Sequence, residues 1–236
     1  MQDFLDVHMH TIASGHAYST LREMIEMGER RHLKLVGLSE HGPRMEGSCP
    51  EIYFCNFKVV RPECYGVDVV MGAELNIIDY AGSTDLSAAY LRRIDYAIAS
   101  LHDICIEPGT EEQNTQAIVN AMRNPRVNII GHPDNPYYPV DFRAIAKAAR
   151  EQHVLLEINN SSYRPNGSRP GSWENGLKLL AACKEFGTEV IMGSDAHIDL
   201  DVGAHEYSQK LIAAAQFPEE LVVNSDVAKF KAYIGK

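Results

Sequence analysis

Short apolar runs rich in Val and Ile recur along the chain, each bounded by glycine or polar residues, with stretches of helical periodicity between them. Such alternation predicts repeated strand-helix units around a parallel sheet. Seven runs qualify: Phe4 to His8, Leu35 to Glu40, Val67 to Ala73, Tyr96 to Leu101, Val127 to Gly131, Val154 to Ile158 and Val190 to Gly193. Helix starts agree with this reading. Thr20 with Glu23 and Thr110 with Gln113 have capping-box spacing, and Asp141, Ser172 and Asp226 precede amphipathic segments as N-caps. Gly187 is placed to stop the sixth helix. The segment Glu46 to Gly66 carries Pro50 and Pro62 among mixed aromatic and charged residues, which predicts an irregular excursion between the second and third strands. No linker, low-complexity tract or repeat divides the chain, so the expected architecture is a single-domain α/β barrel with seven rather than eight strands.

The residues that end these runs carry the chemistry. In parallel α/β folds the carboxyl ends of the strands converge on one face, where reactive groups collect. The first run ends in Asp6-Val7-His8-Met9-His10, the second in Glu40-His41, the third in Ala73-Glu74 and the fourth in Leu101-His102. The fifth ends in Gly131-His132 and the seventh in Ser194-Asp195-Ala196-His197, while His16 follows in the first loop. Residues two apart on an extended strand share a face about 6.6 Å apart, so His8 with His10, and Asp195 with His197, can each reach one ion. Seven imidazoles and two carboxylates suit Zn²⁺, Mn²⁺ or Fe, and the lack of cysteine among them argues against a closed structural zinc site. If Glu74 bridges, this set supplies ligand contacts for about three divalent ions with positions left for water and substrate. A lone strand-end histidine is more often bound to a backbone carbonyl; their recurrence at six strand ends argues otherwise. The sixth run ends instead in Asn159-Asn160-Ser161-Ser162, and His32, His153 and His205 read as solvated or capping residues.

Composition narrows the field. The 236 residues include 22 Lys plus Arg and 32 Asp plus Glu, a net charge of −10 that disfavours nucleic acid and anionic lipid as partners. No apolar stretch approaches the roughly 18 residues that span a bilayer, and Met1 to Leu5 lacks a signal-peptide pattern, so a cytoplasmic protein without membrane attachment is expected. Cys49, Cys55, Cys64, Cys105 and Cys183 are odd in number without a C-x-x-C pair, which predicts reduced thiols. A homo-oligomer is compatible with this composition.

Taken together, the motifs resemble the PHP (polymerase and histidinol phosphatase) superfamily, and within it the YcdX-like metal-dependent phosphatases. The resembling segments are Asp6-Val7-His8-Met9-His10-Thr11, His16-Ala17-Tyr18-Ser19-Thr20, Glu40-His41-Gly42-Pro43, Gly72-Ala73-Glu74, Asn114-Thr115-Gln116-Ala117, His132-Pro133, Glu157-Ile158-Asn159-Asn160-Ser161-Ser162 and Gly193-Ser194-Asp195-Ala196-His197. They run through nearly the whole chain in the family's order. The resemblance implies a distorted (βα)7 TIM-like barrel with three metals, most often zinc. Carried over by motif, His8, His10, Glu74 and Asp195 hold one ion; Glu74 as bridge, His102 and His132 a second; and His16, His41 and His197 the third. Glu40 departs from the pattern, which usually has Asp before this histidine.

A pocket with three divalent ions selects anions, and a phosphate monoester on a small phosphorylated substrate is the natural guest. Metal binding lowers the pKa of water from 15.7 to roughly 7, so a metal-bound hydroxide is the expected nucleophile, with Glu74, Asp195 and His197 at the catalytic centre. Asp6 shares a strand parity with His8 and His10 and is expected to orient a ligand imidazole. Arg44, Arg164 and Arg169 are candidates to clamp phosphate bidentately, and Asn159 to bond substrate or ligands. Three other functions compete. A binuclear amidohydrolase also opens with H-x-H on a barrel strand, but often uses a carboxylated lysine where this chain has His102. A phosphodiesterase or nuclease of the PHP type would prefer bis-esters. A regulatory module without catalysis would have lost some of these metal-ligating positions, and none is lost.

Overall fold

Alternation inside each strand builds the barrel in layers. The computed structural model describes residues 2–235. Seven parallel strands form one sheet in sequence order: β1 (Leu5–Asp6), β2 (Leu35–His41), β3 (Asp68–Asn76), β4 (Tyr96–Ser100), β5 (Ile129–Ile130), β6 (Leu155–Asn159) and β7 (Val190–Gly193). The sheet curls until its two edges meet beyond the strands. There Met9 bridges Ala196, the His10 N–H donates to the Ala196 carbonyl at 2.8 Å, and the Ala196 N–H donates to the His8 carbonyl at 3.3 Å. The expected seven-stranded barrel is therefore what the chain forms.

Leu5, Leu35, Val70, Ile98, Leu155 and Ile191 fill the barrel interior as one apolar layer. Tyr96 and Phe230 pack edge to face at 6.1 Å in the same layer. Gly72 makes room for that tyrosine, because a Cβ there would lie 2.5 Å from the Tyr96 ring. Residues two further along the same strand faces are the polar ones, such as Glu157 after Leu155 and Glu74 two places beyond Gly72. Outside the sheet, α1 (Leu21–Arg30) buries Met24, Ile25 and Gly28 against the outer faces of β2 and β3. Over the rest of the barrel pack α4 (Glu111–Met122), α5 (Phe142–Gln152), α6 (Ser172–Phe186) and α7 (Glu206–Ala214). The short helices α2 (Ile52–Cys55) and α3 (Ala88–Leu91) flank β3, and α8 (Val227–Tyr233) carries Phe230 into the barrel's amino end.

The helix signals were local and hold. Thr20 with Glu23 and Thr110 with Gln113 form reciprocal capping boxes. Asp141 and Asp226 accept backbone N–H bonds as N-caps, and Gly187 ends α6 in the left-handed region. Ser172 is a correction: it begins α6 as its first helical residue, and the N-cap is Gly171 at φ 95°, a conformation serine would adopt only with strain. The excursion at 46–66 is irregular as expected, with α2 and two 3₁₀ turns, and Phe54 anchors it in the core. All five cysteines are free, and burial pushes the Cys49 thiol up to about 12. Among the described residues no helix is long and apolar enough to cross a membrane.

Two polar assignments change. His32 and His153 are exposed, and His153 caps α5 while stacking on Tyr233 at 4.0 Å. His205, by contrast, is buried at the start of α7, with Nδ1 2.7 Å from Asp3 and Nε2 3.6 Å from Asp6. Asp6 also accepts from the backbone N–H groups of His8, Ser194 and Gly203, and bonds no metal-site imidazole. Asp6 is thus not where the expected role would put it. Val7 packs in the interior layer and the very next residue, His8, reaches the site, so alternation is lost between Asp6 and His8. Burial lowers the His205 pKa, but bonds to Asp3 and Asp6 outweigh it and raise it to about 10. The stabilisation from this pairing is complete below the ordinary 6.5 and is lost as pH rises through about 10. Replacing His205 with Gln should cost about 3 kcal/mol at neutral pH, read as a lower urea midpoint. The gap from the wild type should close as both proteins are measured at pH 10 and above.

Candidate metal centre

The strand ends deliver their side chains to one mouth. His8 and His10 follow β1, His16 lies in the loop before α1, His41 ends β2 and Glu74 lies in β3. His102 follows β4, His132 follows β5, and Asp195 and His197 follow β7. Parallel register sets His41 directly beside Glu74, so two of these groups are neighbours on adjacent strands. Two site residues adopt left-handed backbone, His132 at φ 30° and Asp195 at φ 55°. Each conformation costs about 1–3 kcal/mol, offset by bonds such as the His132 N–H to Glu157 at 2.8 Å.

Glu74 is the hub, and its two oxygens face different groups. Oε2 lies 2.8 Å from His41 Nδ1, 3.4 Å from His8 Nε2 and 3.5 Å from His10 Nε2. Oε1 lies 3.0 Å from His132 Nε2 and 3.3 Å from His102 Nε2, and accepts from Ser100 at 2.7 Å. Asp195 Oδ1 is 3.5 Å from His10 and 3.7 Å from His8. At the outer edge His16 and His197 face each other with Nε2 atoms 3.0 Å apart, and His41 stacks against His16 at 5.0 Å.

Partners behind the rings determine which nitrogen faces inward. The Ser14 hydroxyl hydrogen is donated to Glu40 at 2.6 Å, so His10 Nδ1, 3.2 Å from Ser14 Oγ, must itself donate. The Asn76 amide nitrogen donates to Asp85, leaving Asn76 Oδ1 to accept from His102 Nδ1 at 2.6 Å. Glu157 accepts from His8 Nδ1 at 2.6 Å. All three imidazoles thereby turn Nε2 to the centre, the nitrogen that binds a cation when the ring is neutral.

That donor set fits divalent metal ions. His8 Nε2, His10 Nε2, His41 Nδ1 and Glu74 Oε2 are buried with no hydrogen-bond partner, an arrangement otherwise costly by about 1–3 kcal/mol for each atom. A tetrahedron with bonds of about 2.0–2.1 Å has edges of roughly 3.3–3.4 Å, close to the spacings between His8, His10, His102 and Glu74. In three overlapping groups the ligand atoms all lie within 4.8 Å of one another: His10, His41 and His197; His8, His10 and Glu74; and His41, Glu74 and His102. Charge points the same way. Burial raises the Glu74 and Asp195 pKa values, yet the imidazoles outweigh it and hold both carboxyls well below their usual range. Burial and neighbouring His41 and His197 hold His10 well below 6.5, and burial with Arg169 lowers His132 to about 4. Burial also opposes charge on His8, but Glu157, Glu74 and Asp195 raise its pKa well above 6.5. A cation in the same place would satisfy those carboxylates instead of a proton.

Beside the cluster opens a cavity of about 390 Å³ whose lining includes His16, His41, His102, Arg164, Arg169 and His197. Arg169 is largely buried, and its Nη1 bonds Asp195 and Ser162 at 3.2 Å and Asn159 at 3.5 Å. Arg164 pairs with Asp201 at 2.8 Å. Arg44 is brought to neither the cluster nor this cavity: its side chain is exposed, and its backbone N–H is held by Asp85. The Asn159 amide is occupied by Glu157 and Asp195 on one side and by Ser162 on the other, so it braces site carboxylates rather than facing a substrate. Glu157, Ser14, Asn76 and the buried Asp134, whose carboxyl burial pushes up to about 7, are residues to which the sequence assigned no role. A charge two places after the inward Leu155 was the available signal for Glu157.

Comparison with known proteins follows the same lines. A model of the PHP domain matches residues 6–161. The chain belongs to the PHP domain family. A probable phosphatase of Clostridium acetobutylicum is 45% identical to this PHP protein, over 99% of this chain and 95% of its own. Another from Thermoanaerobacter sp. strain X514 is 46% identical over the same shares. Both relatives match this chain over nearly their whole length. The crystal structure of histidinol phosphate phosphatase from Lactococcus lactis, complexed with zinc, L-histidinol and phosphate, shares the fold, with a TM-score of 0.61 at 19% identity, covering 92% of this chain and 95% of that one.

If Glu157 orients His8, Glu157→Gln should weaken zinc affinity by roughly 10- to 100-fold, measured by competition with a chromophoric chelator.

Proposed function

We propose that this PHP protein hydrolyses phosphate monoesters at a centre holding three divalent cations, zinc foremost. The observation that carries the reading is the division of Glu74, with Oε2 turned to His8, His10 and His41 and Oε1 to His102 and His132. A carboxylate set between two groups of imidazoles is the arrangement of a bridge, and His16, His41 and His197 supply the donors for a third position. When bound, such ions supply positive charge for the phosphoryl oxygens and an acidified water as nucleophile.

The chain's own residues have separable tasks. Ser14, Asn76 and Glu157 hold His10, His102 and His8 with Nε2 turned inward. Asn159 and Arg169 hold Asp195 from behind. The Nε and Nη2 hydrogens of Arg169 have no hydrogen-bond partner among the described residues, so this guanidinium keeps donors for a phosphoryl oxygen in the cavity it lines. Arg164, tethered to Asp201 in the lining of the same cavity, adds a second cation. A dianion bearing three terminal oxygens matches this density of positive charge better than a diester monoanion does.

Metal-replete protein should release phosphate from p-nitrophenyl phosphate, and chelation should abolish the activity until zinc or manganese is restored. Faster cleavage of bis(p-nitrophenyl) phosphate would overturn the monoester reading. Glu74→Gln should lower bound metal by more than one equivalent in elemental analysis, and loss of a single equivalent would rule out bridging.

A further inference from the structure

Glu40 precedes His41 near the end of β2 and is fully buried, yet among the described residues the hydrogen bonds it accepts come from neutral groups. Its Oε1 accepts from the Thr11 hydroxyl at 2.6 Å, and its Oε2 from the Thr11 N–H at 3.0 Å and the Ser14 hydroxyl at 2.6 Å. We propose that Glu40 is a positioning residue for the outer part of the metal centre, acting through Ser14 on His10 and His41 and through the turn at Thr11 on His16. This deepens the reading of the strand-end cluster as a metal centre and rests on it.

The first route meets at one hydroxyl. Ser14 donates to Glu40, and its oxygen accepts from His10 Nδ1 at 3.2 Å and from the His41 backbone N–H at 3.0 Å. One donor and two acceptor places are all that a hydroxyl has, so this one is fully committed and cannot turn. Imidazoles from the ends of two strands are thereby fixed to a single atom, and that atom is fixed by a carboxylate. His41 is held from its other side as well, where its carbonyl accepts from the Ser48 hydroxyl at 2.6 Å. An aspartate on the same backbone would be shorter by one methylene, about 1.5 Å, too short to keep both 2.6 Å bonds.

The second route runs along the backbone. Thr11 caps the 3₁₀ turn Ile12–Ser14, its oxygen accepting from the Ala13 N–H at 3.2 Å while its hydrogen goes to Glu40. Gly15 follows at φ 82°, where a Cβ would fall 2.2 Å from the Gly47 carbonyl oxygen, so the chain leading into His16 is packed tightly against the 46–66 excursion. His16 is itself exposed, and its place depends on this turn more than on burial of its ring. Charge favours the same assignment. With burial, Glu40 pushes the nearby Cys49 thiol up to about 12, and a carboxylate that disfavours a second negative charge favours a positive one. Ser14 passes that preference to His10: polarising the ring N–H toward the carboxylate makes the opposite nitrogen a stronger donor.

The test titrates metal-free wild type, Glu40→Gln, Ser14→Ala and the double variant with zinc against a chromophoric chelator, and with cobalt followed by its visible absorption. Glutamine keeps the shape and can still accept from Ser14 and Thr11, so Glu40→Gln removes charge alone. It should weaken one bound equivalent roughly tenfold, leave any others within about twofold, and change the cobalt spectrum of that equivalent. Ser14→Ala should do the same, and the double variant should lose no more than the larger single loss, because the two residues act in series. Either single variant decides if the other does not fold. Affinity unchanged in the single variants, or losses that add in the double variant, would overturn the assignment. So would equal weakening of several equivalents, which is what a merely structural Glu40 would give. Wild-type protein that binds neither zinc nor cobalt would instead remove the metal-centre reading, and the positioning role with it.

Discussion

Two buried carboxylates and a crowd of imidazoles that cannot satisfy one another dominate this molecule. Glu74 and Asp195 are held ionised among rings whose inward nitrogens, on His8, His10 and His102, are left facing them once the other nitrogens donate outward. A neutral ring there sets a lone pair against a carboxylate oxygen at 3.3 to 3.5 Å, which repels unless positive charge lies between them. Three orphaned nitrogens and an orphaned oxygen in one buried space fit cations, and the rest of the structure can be understood as the scaffold that makes the crowding tolerable.

The barrel supplies that scaffold by layering. Apolar side chains and the Tyr96–Phe230 pair fill its amino end, so the polar residues two positions further along each strand are forced upward to the mouth. Close approach is part of the design. A Cβ on Gly193 would fall 2.1 Å from Glu157 and 2.9 Å from the Cβ of His8, so the carboxylate behind that imidazole exists only because β7 ends in glycine. Left-handed backbone at His132 and Asp195 belongs to the same bargain, in which local strain positions side chains that a relaxed loop would not converge.

Outside the metal cluster the loops divide the work. Those after β6 and β7 carry Arg169, Arg164 and Asp201 to the edge of the cluster. Those after β4 and β5 build a neighbouring cavity, braced by Tyr138 and Asn135. Barrels of this kind keep reactive groups on strand ends and leave the loops free to vary around them.

Strand-helix alternation, the two capping boxes and the convergence of the nine metal-type residues were all legible from sequence, because each depends on spacing of a few residues or on the general rule that parallel strand ends meet. Tertiary structure alone decided what lies behind and between them. Asp6 and His205 are 199 positions apart by their numbering and form a buried pair that neither local pattern announces. Glu157 reaches His8 across the closed barrel, 149 residues away in sequence, and Gly171 rather than Ser172 caps α6, in left-handed backbone just ahead of the helix. Short-range periodicity encodes which face a side chain takes; which partner waits on that face depends on how the sheet closes, and closure is a property of the whole chain.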